Sequence, residues 1–215
     1  MEHIPFKEQQ FKARESAVID AANRLMGQKG YDQMTMDDVA AELGISKGII
    51  YKHFPSKESL AAAAMIRLLQ ETLAMLAALP PSLSARGKLE AALAWALRRR
   101  AEGGLPLLPA NSAALQKALL SNIEYVSQLL PLNAAVTALV EQARQDGEFR
   151  RDLPAEVIVH TIYARTCDSA FDLLRDTGRY PIDALIEHLV TCCFGGLVVP
   201  ETRGRPSGSR VPGSA

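Results

Sequence analysis

Residues 35–60 read TMDDVAAELGISKGIIYKHFPSKESL. Thr35 and Asp38 stand at capping-box spacing, with aspartate where glutamate is commoner, and Asp37 and Asp38 suit the positive end of a helix dipole. Val39, Ala40 and Leu43 give that helix a buried face. Gly44 follows, where a tight turn calls for a residue free to take positive φ. Ile45 is placed as a core plug, and Ser46 as the cap of a short helix that Pro55 stops. A helix, a three-residue turn containing glycine and a second short helix make a helix-turn-helix. Ile45, Ile50 and Phe54 are its expected core.

The short helix is also where the cations gather. Lys47, Lys52 and His53 lie on it with Tyr51, Lys57 sits just past the break, and no acid occurs between residues 46 and 57. The chain as a whole has 215 residues and no net charge, with 24 Lys and Arg against 24 Asp and Glu. Residues 1–45 are on balance acidic, so the cations are concentrated, not absent. A short helix fits the major groove of DNA, where Lys47 or Lys52 can donate to guanine O6 and N7 and Ile49 can meet a thymine methyl. Gly48 removes a side chain so that the backbone can approach. Tyr51 and Lys57 are better placed for phosphates, which set register without reading sequence. Thr35, at a helix N-terminus, is a further phosphate candidate.

Outward from this stretch, Val18, Ala22, Leu25 and Met26 mark a helix over 11–29 that Gly30 ends, with Lys29 in its last turn. Ser56 and Glu58 start a long helix over 56–79, apolar almost all the way round and ended by Pro80 and Pro81. Further helices are expected at 84–101, 111–129, 131–146, 154–176 and 182–198. Pro131 can either kink one helix or separate two, and the boundaries above take the second course. The RRR at 98–100 closes a helix, where cations favour the negative pole, and reads as solvated. The Gly-, Pro- and Ser-rich tail reads as disordered. Low aromatic content (6%), much Ala and Leu and no β run give an all-α chain.

No uninterrupted apolar run reaches the roughly 18 residues of a membrane span, and no signal-peptide pattern is present. Cys167, Cys192 and Cys193 lack metal-ligand spacing and read as reduced thiols, so no metal, no cofactor and a cytoplasmic location are expected. The histidines, His3, His53, His160 and His188, form no H-E-x-x-H, and no G-x-S-x-G or glycine-rich phosphate loop occurs. His160 and Cys167, seven apart, share a helical face but are not thereby a dyad, so no catalytic residue is assigned.

The "GY…MT" at 30–35, "VAAELGISKG" at 39–48 and "IYKHFPSKESL" at 50–60 resemble the TetR family of transcriptional regulators. The resemblance runs from about Val18 to Leu60, and "DGEFRRDLP" at 146–154 is similar to the family's link into its last two helices. It implies a helix-turn-helix DNA-binding domain over 1–58, a larger helical effector-binding and dimerisation domain over 59–199 and a tail over 200–215. The recognition helix becomes Ser46–Phe54, with Lys47, Gly48, Ile49, Tyr51, Lys52 and His53 toward DNA. Two residues depart from the family's habit. Ile49 stands where Thr, Ser or Ala is usual, and Asp37 stands where some members carry a base, so no phosphate contact is expected there.

The family's ligand lies between helices of the body, which makes Trp95, Tyr125, His160 and Tyr163 candidates for an effector pocket. Leu185, Leu189, Cys192, Cys193 and Gly196 fall at i, i+4, i+7, i+8 and i+11, a small-residue stripe that reads as a dimer interface. The implied partners are a double-stranded operator, a small-molecule effector and a second copy of the chain, with no membrane. The implied function is a repressor released from a palindromic operator by its effector. The alternatives are an effector-independent DNA-binding or ligand-binding helical module, and an enzyme built on the helical body.

Overall fold

The computed structural model describes residues 6–103 and 113–198, and every element in them is a helix. The tail at 200–215 and the punctuation at 104–112 lie outside the described residues. α1 (Phe6–Gln33) is interrupted at Gly30, whose φ of 81° and ψ of 159° are not helical, so the glycine does break the helix where expected. Val18, Ala22 and Met26 bury its inner face. α2 (Met36–Leu43) starts on Thr35 with the full reciprocal capping box to Asp38 and ends on Gly44 in the left-handed conformation, φ 63°. α3 (Lys47–His53) follows. Ser46 sits at its cap position, yet its hydroxyl makes no capping bond, and only its carbonyl serves the helix, accepting from the Ile49 amide. α4 (Lys57–Ala78) opens on a box between Ser56 and Ser59.

The body adds α5 (Ala85–Ala101), α6 (Ala113–Leu120), α7 (Ile123–Gln145), α8 (Ala155–Thr166), α9 (Ala170–Asp176) and α10 (Ile182–Gly195). Two boundaries differ from the sequence expectation. Pro131 lies inside α7 instead of separating two helices. It is exposed, as is Ser127 one turn earlier, so the carbonyl that loses its amide partner there can be hydrated. The break comes earlier, at Asn122, whose side chain accepts from the Tyr125 amide and starts α7. The expected helix over 154–176 is two. Asp168 accepts from the Ala170 amide and from Arg165, turning the chain between α8 and α9.

Leu89, Leu93 and Leu97 form the buried ridge of α5, which packs on α4, α7, α8 and α10. Each such leucine contributes about 1.5–3 kcal/mol on burial. Phe149 stacks on Phe194 at 5.9 Å and the Arg150 amide donates to the Leu197 carbonyl, so the DGEFRRDLP segment is strapped to the end of α10. Over 18-residue windows α4 and α7 reach mean hydropathies of 1.4 and 1.3, long and apolar enough to cross a membrane although polar residues interrupt both. In α4 the apolar positions serve the interior: Leu60, Ala61, Ala64 and Leu69 are buried and the helix packs on α1 and α7.

Of the arginine triplet only Arg98 is solvated as expected; Arg99 is half-buried and Arg100 buried. Arg98 reaches Asp183 of α10 at 2.5 Å, and Arg99 reaches Glu71 of α4 at 2.9 Å. Arg100, 3% exposed, donates to Asp172 of α9 and to the Thr166 carbonyl that ends α8. Successive residues of a helix point about 100° apart. Three consecutive cations therefore tie α5 to three different neighbours.

Candidate functional site

α3 is anchored by Ile50, fully buried, and by Phe54 at its end, with Ile49 half-buried beside them. This fixes which face is outward. Lys47, Gly48, Tyr51 and Lys52 are exposed, and a Cβ built on Gly48 would meet nothing within 4 Å. Tyr51 is 44% exposed, and the Lys47 ammonium lies 6.0 Å from its ring. Lys52 makes no ion pair among the described residues. The surface is thus a shallow, open ridge bearing two cations and a phenol, the shape that a groove between phosphate rows accepts.

Lys47 is not free. Its ammonium donates to Asp37 of α2 at 2.8 Å, and this hydrogen bond, more than the charge itself, raises its pKa. Asp37, expected to repel phosphate, has a second role that the sequence did not disclose, because the pair closes across the Gly44 turn. Lys57 lies 4.3 Å over the Tyr31 ring and donates to the Asp32 carbonyl. Its ammonium is thereby held beside the end of α1. Burial, with Glu58 second, pushes the Tyr31 phenol up to about 12.

Thr35 is exposed at the start of α2, but its hydroxyl is occupied, donating to Asp38 at 2.7 Å and accepting from the Asp38 amide. Lys29 joins the same carboxylate at 2.6 Å. The Lys29 hydrogen bond first, and those from Thr35 after it, hold Asp38 at about 2. His53 is placed differently from the sequence expectation. Its ring packs on Phe11 of α1 at 4.1 Å, half-buried, with Nδ1 shielded and without a partner. It joins α3 to α1 instead of standing on the open ridge.

In the body, α4, α5, α7 and α8 enclose a cavity of about 300 Å³. Trp95, Tyr125 and Tyr163 line it together. His160 does not: it stands on the outer face of α8 with Val157, Thr161 and Ala164, because a helix that turns Ile158, Val159 and Ile162 inward turns His160 away. Burial raises the pKa of both tyrosines, and the Tyr163 hydroxyl is shielded from solvent without a partner in the protein. Cys167, just past α8, also lines the cavity and is exposed. Thr72 and Thr166 also line the cavity, and neither stands out by residue type in the linear order.

The α10 stripe is divided. Leu185 and Cys193 are buried in the core of this same chain, Leu189 is half-buried, and Cys192 and Gly196 are at the surface. Burial also raises the Cys193 thiol pKa. Leu185 and Cys193 thus already have neighbours within the chain, and the face that α10 leaves at the surface carries Cys192 and Gly196.

Comparison with known proteins bears on the first site directly. Residues 18–64 match the family model described as bacterial regulatory proteins, tetR family. Over 49 residues the chain is 45% identical to an uncharacterized HTH-type transcriptional regulator, YuxN, of Bacillus subtilis, covering 23% of this chain and 17% of the relative. Over 43 residues it is 46% identical to IcaR of Staphylococcus aureus, a biofilm operon HTH-type negative transcriptional regulator, covering 20% of this chain and 23% of the relative. These matches span less than a quarter of either relative's own length. The fold as a whole is similar to a fatty acid degradation regulator, FadR, of Bacillus halodurans, with 17% identity, a TM-score of 0.61 and coverage of 95% of this chain and 100% of that one. It is also similar to FadR of Bacillus subtilis, solved in complex with stearoyl-CoA, with 17% identity, a TM-score of 0.60 and coverage of 84% and 98%. The helix-turn-helix segment, with its capped second helix, glycine turn and cationic third helix, is thus similar over residues 18–64 to the tetR family of bacterial regulatory proteins.

Proposed function

We propose that the chain is a transcriptional regulator that binds a two-fold symmetric DNA operator as a homodimer. The observation that carries this is the outward face of α3, where Lys47, Gly48, Tyr51 and Lys52 stand open and no acid occurs on the helix. Lys47 and Lys52 read base edges, with Ile49 at the margin, while Tyr51 and Lys57 meet phosphates; the Thr35 amide and hydroxyl are both spent on Asp38. Lys47 exchanges Asp37 for a base edge on binding. His53 acts from behind, holding α3 against Phe11. Two α3 helices one turn of duplex apart, about 34–36 Å, would enter successive major grooves.

Dimerisation is assigned to the outward faces of α8 and α10, which carry Val157, His160 and Ala164 on one helix and Cys192 and Gly196 on the other. The cavity behind Trp95, Tyr125 and Tyr163 is the effector site, and repression is the sense of regulation. Support comes from IcaR, a negative regulator, and from the FadR neighbour that holds an acyl-CoA. An effector acts only by its differential affinity for the state whose α3 separation no longer fits both half-sites.

The test is selection of bound duplexes from a random pool. A palindrome with half-sites about one helical turn apart, bound more weakly as salt rises, is expected. Failure of any site to enrich above bulk DNA contradicts the reading.

A further inference from the structure

We infer that the cavity takes an uncharged, largely apolar molecule whose single polar function is a hydrogen-bond acceptor, met by the Tyr163 hydroxyl. This rests on the reading of the cavity as the effector site and names the chemistry of what enters it.

None of the side chains lining the cavity carries a charge at neutral pH. The two threonines among them are already committed. Thr72 donates its hydroxyl to the Leu68 carbonyl at 2.7 Å, and Thr166 donates to the Tyr163 carbonyl at 2.8 Å. The cations that follow on α5 are no more available. Arg99 is held by Glu71, and Arg100 by Asp172 and the Thr166 carbonyl. A ligand carboxylate, phosphate or ammonium drawn into this space would therefore find no counter-ion, and an unpaired charge in an apolar enclosure is strongly disfavoured.

One donor remains. The Tyr163 hydroxyl is enclosed and unpaired, and burial keeps its phenol protonated. A buried donor without a partner is a standing penalty that a carbonyl or ether oxygen of a ligand removes. Because the Tyr163 ring lines the cavity, an acceptor entering there is the partner within reach. Van der Waals packing against Leu69, Leu93, Leu132 and Val136 supplies the rest of the binding.

The chain carries its own reporter, since Trp95 is its one tryptophan and lines the cavity. Its emission is followed while the full-length protein is titrated with 2-decanone, decanoate and 1-decene, each against wild type and Tyr163→Phe. The expected result is saturable binding of 2-decanone, with decanoate weaker by about tenfold or more. Tyr163→Phe should weaken 2-decanone about tenfold and leave 1-decene unchanged. Decanoate binding as tightly as the ketone overturns the proposal, as does a Tyr163→Phe effect equal on ketone and alkene. Absence of a saturable response to all three probes also overturns it. Operator affinity measured in the same samples separates the two readings. If 2-decanone binds as described while the duplex stays bound, the ligand chemistry stands and the effector role fails.

Discussion

Lys47 and Arg100 are both cations set against carboxylates of another helix, and they belong to opposite ends of the electrostatic range. The Lys47–Asp37 pair has side chains 46% and 69% exposed, while in the Arg100–Asp172 pair they are 2% and 22% exposed. Water screens the first, which can be exchanged for another partner at little net change in free energy. The second has no such alternative, because removing one member leaves the other poorly solvated. The difference marks a division of labour. The helix-turn-helix keeps its charges at the surface where a polyanion can take them over, and the body spends its charges on fixing helices to one another.

Arg100→Ala should produce the largest effect, a loss of about 3 kcal/mol of stability in urea unfolding. A loss within a few tenths of a kcal/mol would erase the contrast. Thr35→Ala removes the capping oxygen of α2 and should cost about 1 kcal/mol, read from the same transition. The box also has a pH signature. Asp38 is held below its ordinary value of 3.8, at about 2, so its contribution is fully present above 3.8 and is lost as pH falls through about 2. The stability advantage of wild type over Thr35→Ala should therefore be constant above pH 3.8 and shrink as pH falls toward about 2, read by urea unfolding at a series of pH values. The smallest effect belongs to Asp37→Asn. It should leave the melting temperature nearly unchanged and tighten DNA binding only a few-fold by releasing Lys47 and removing a charge from the phosphate-facing side. Weaker DNA binding by that variant would show that Asp37 positions Lys47 instead of merely holding it.

The same division explains what could be read from residues alone. Thr35, Asp38, Gly44 and Pro55 act on neighbours within a few positions, so their consequences were legible in the linear order. His53 escaped because its partner, Phe11, is 42 residues away on a helix that carries no local sign of it. Asp37 and Lys47 were each recognised, but their pairing needs the angle between α2 and α3. In the body Arg99 and Arg100 read as a solvated helix end because Glu71 and Asp172 are far off in sequence, whereas Arg98 is exposed as read. Trp95, Tyr125 and Tyr163 share one cavity, whereas His160 lies outside it because its phase on α8 depends on which face the bundle covers. Pro131 misled because an exposed proline leaves its orphaned carbonyl to water and the helix continues.

The account's central claim is that α3 meets DNA. It is tested most directly by titrating the selected duplex with wild type and with Lys47→Ala under identical salt, followed by fluorescence anisotropy. The account predicts affinity lower by about tenfold or more, with the dimer and its melting temperature intact. Equal affinity for the two proteins would contradict it.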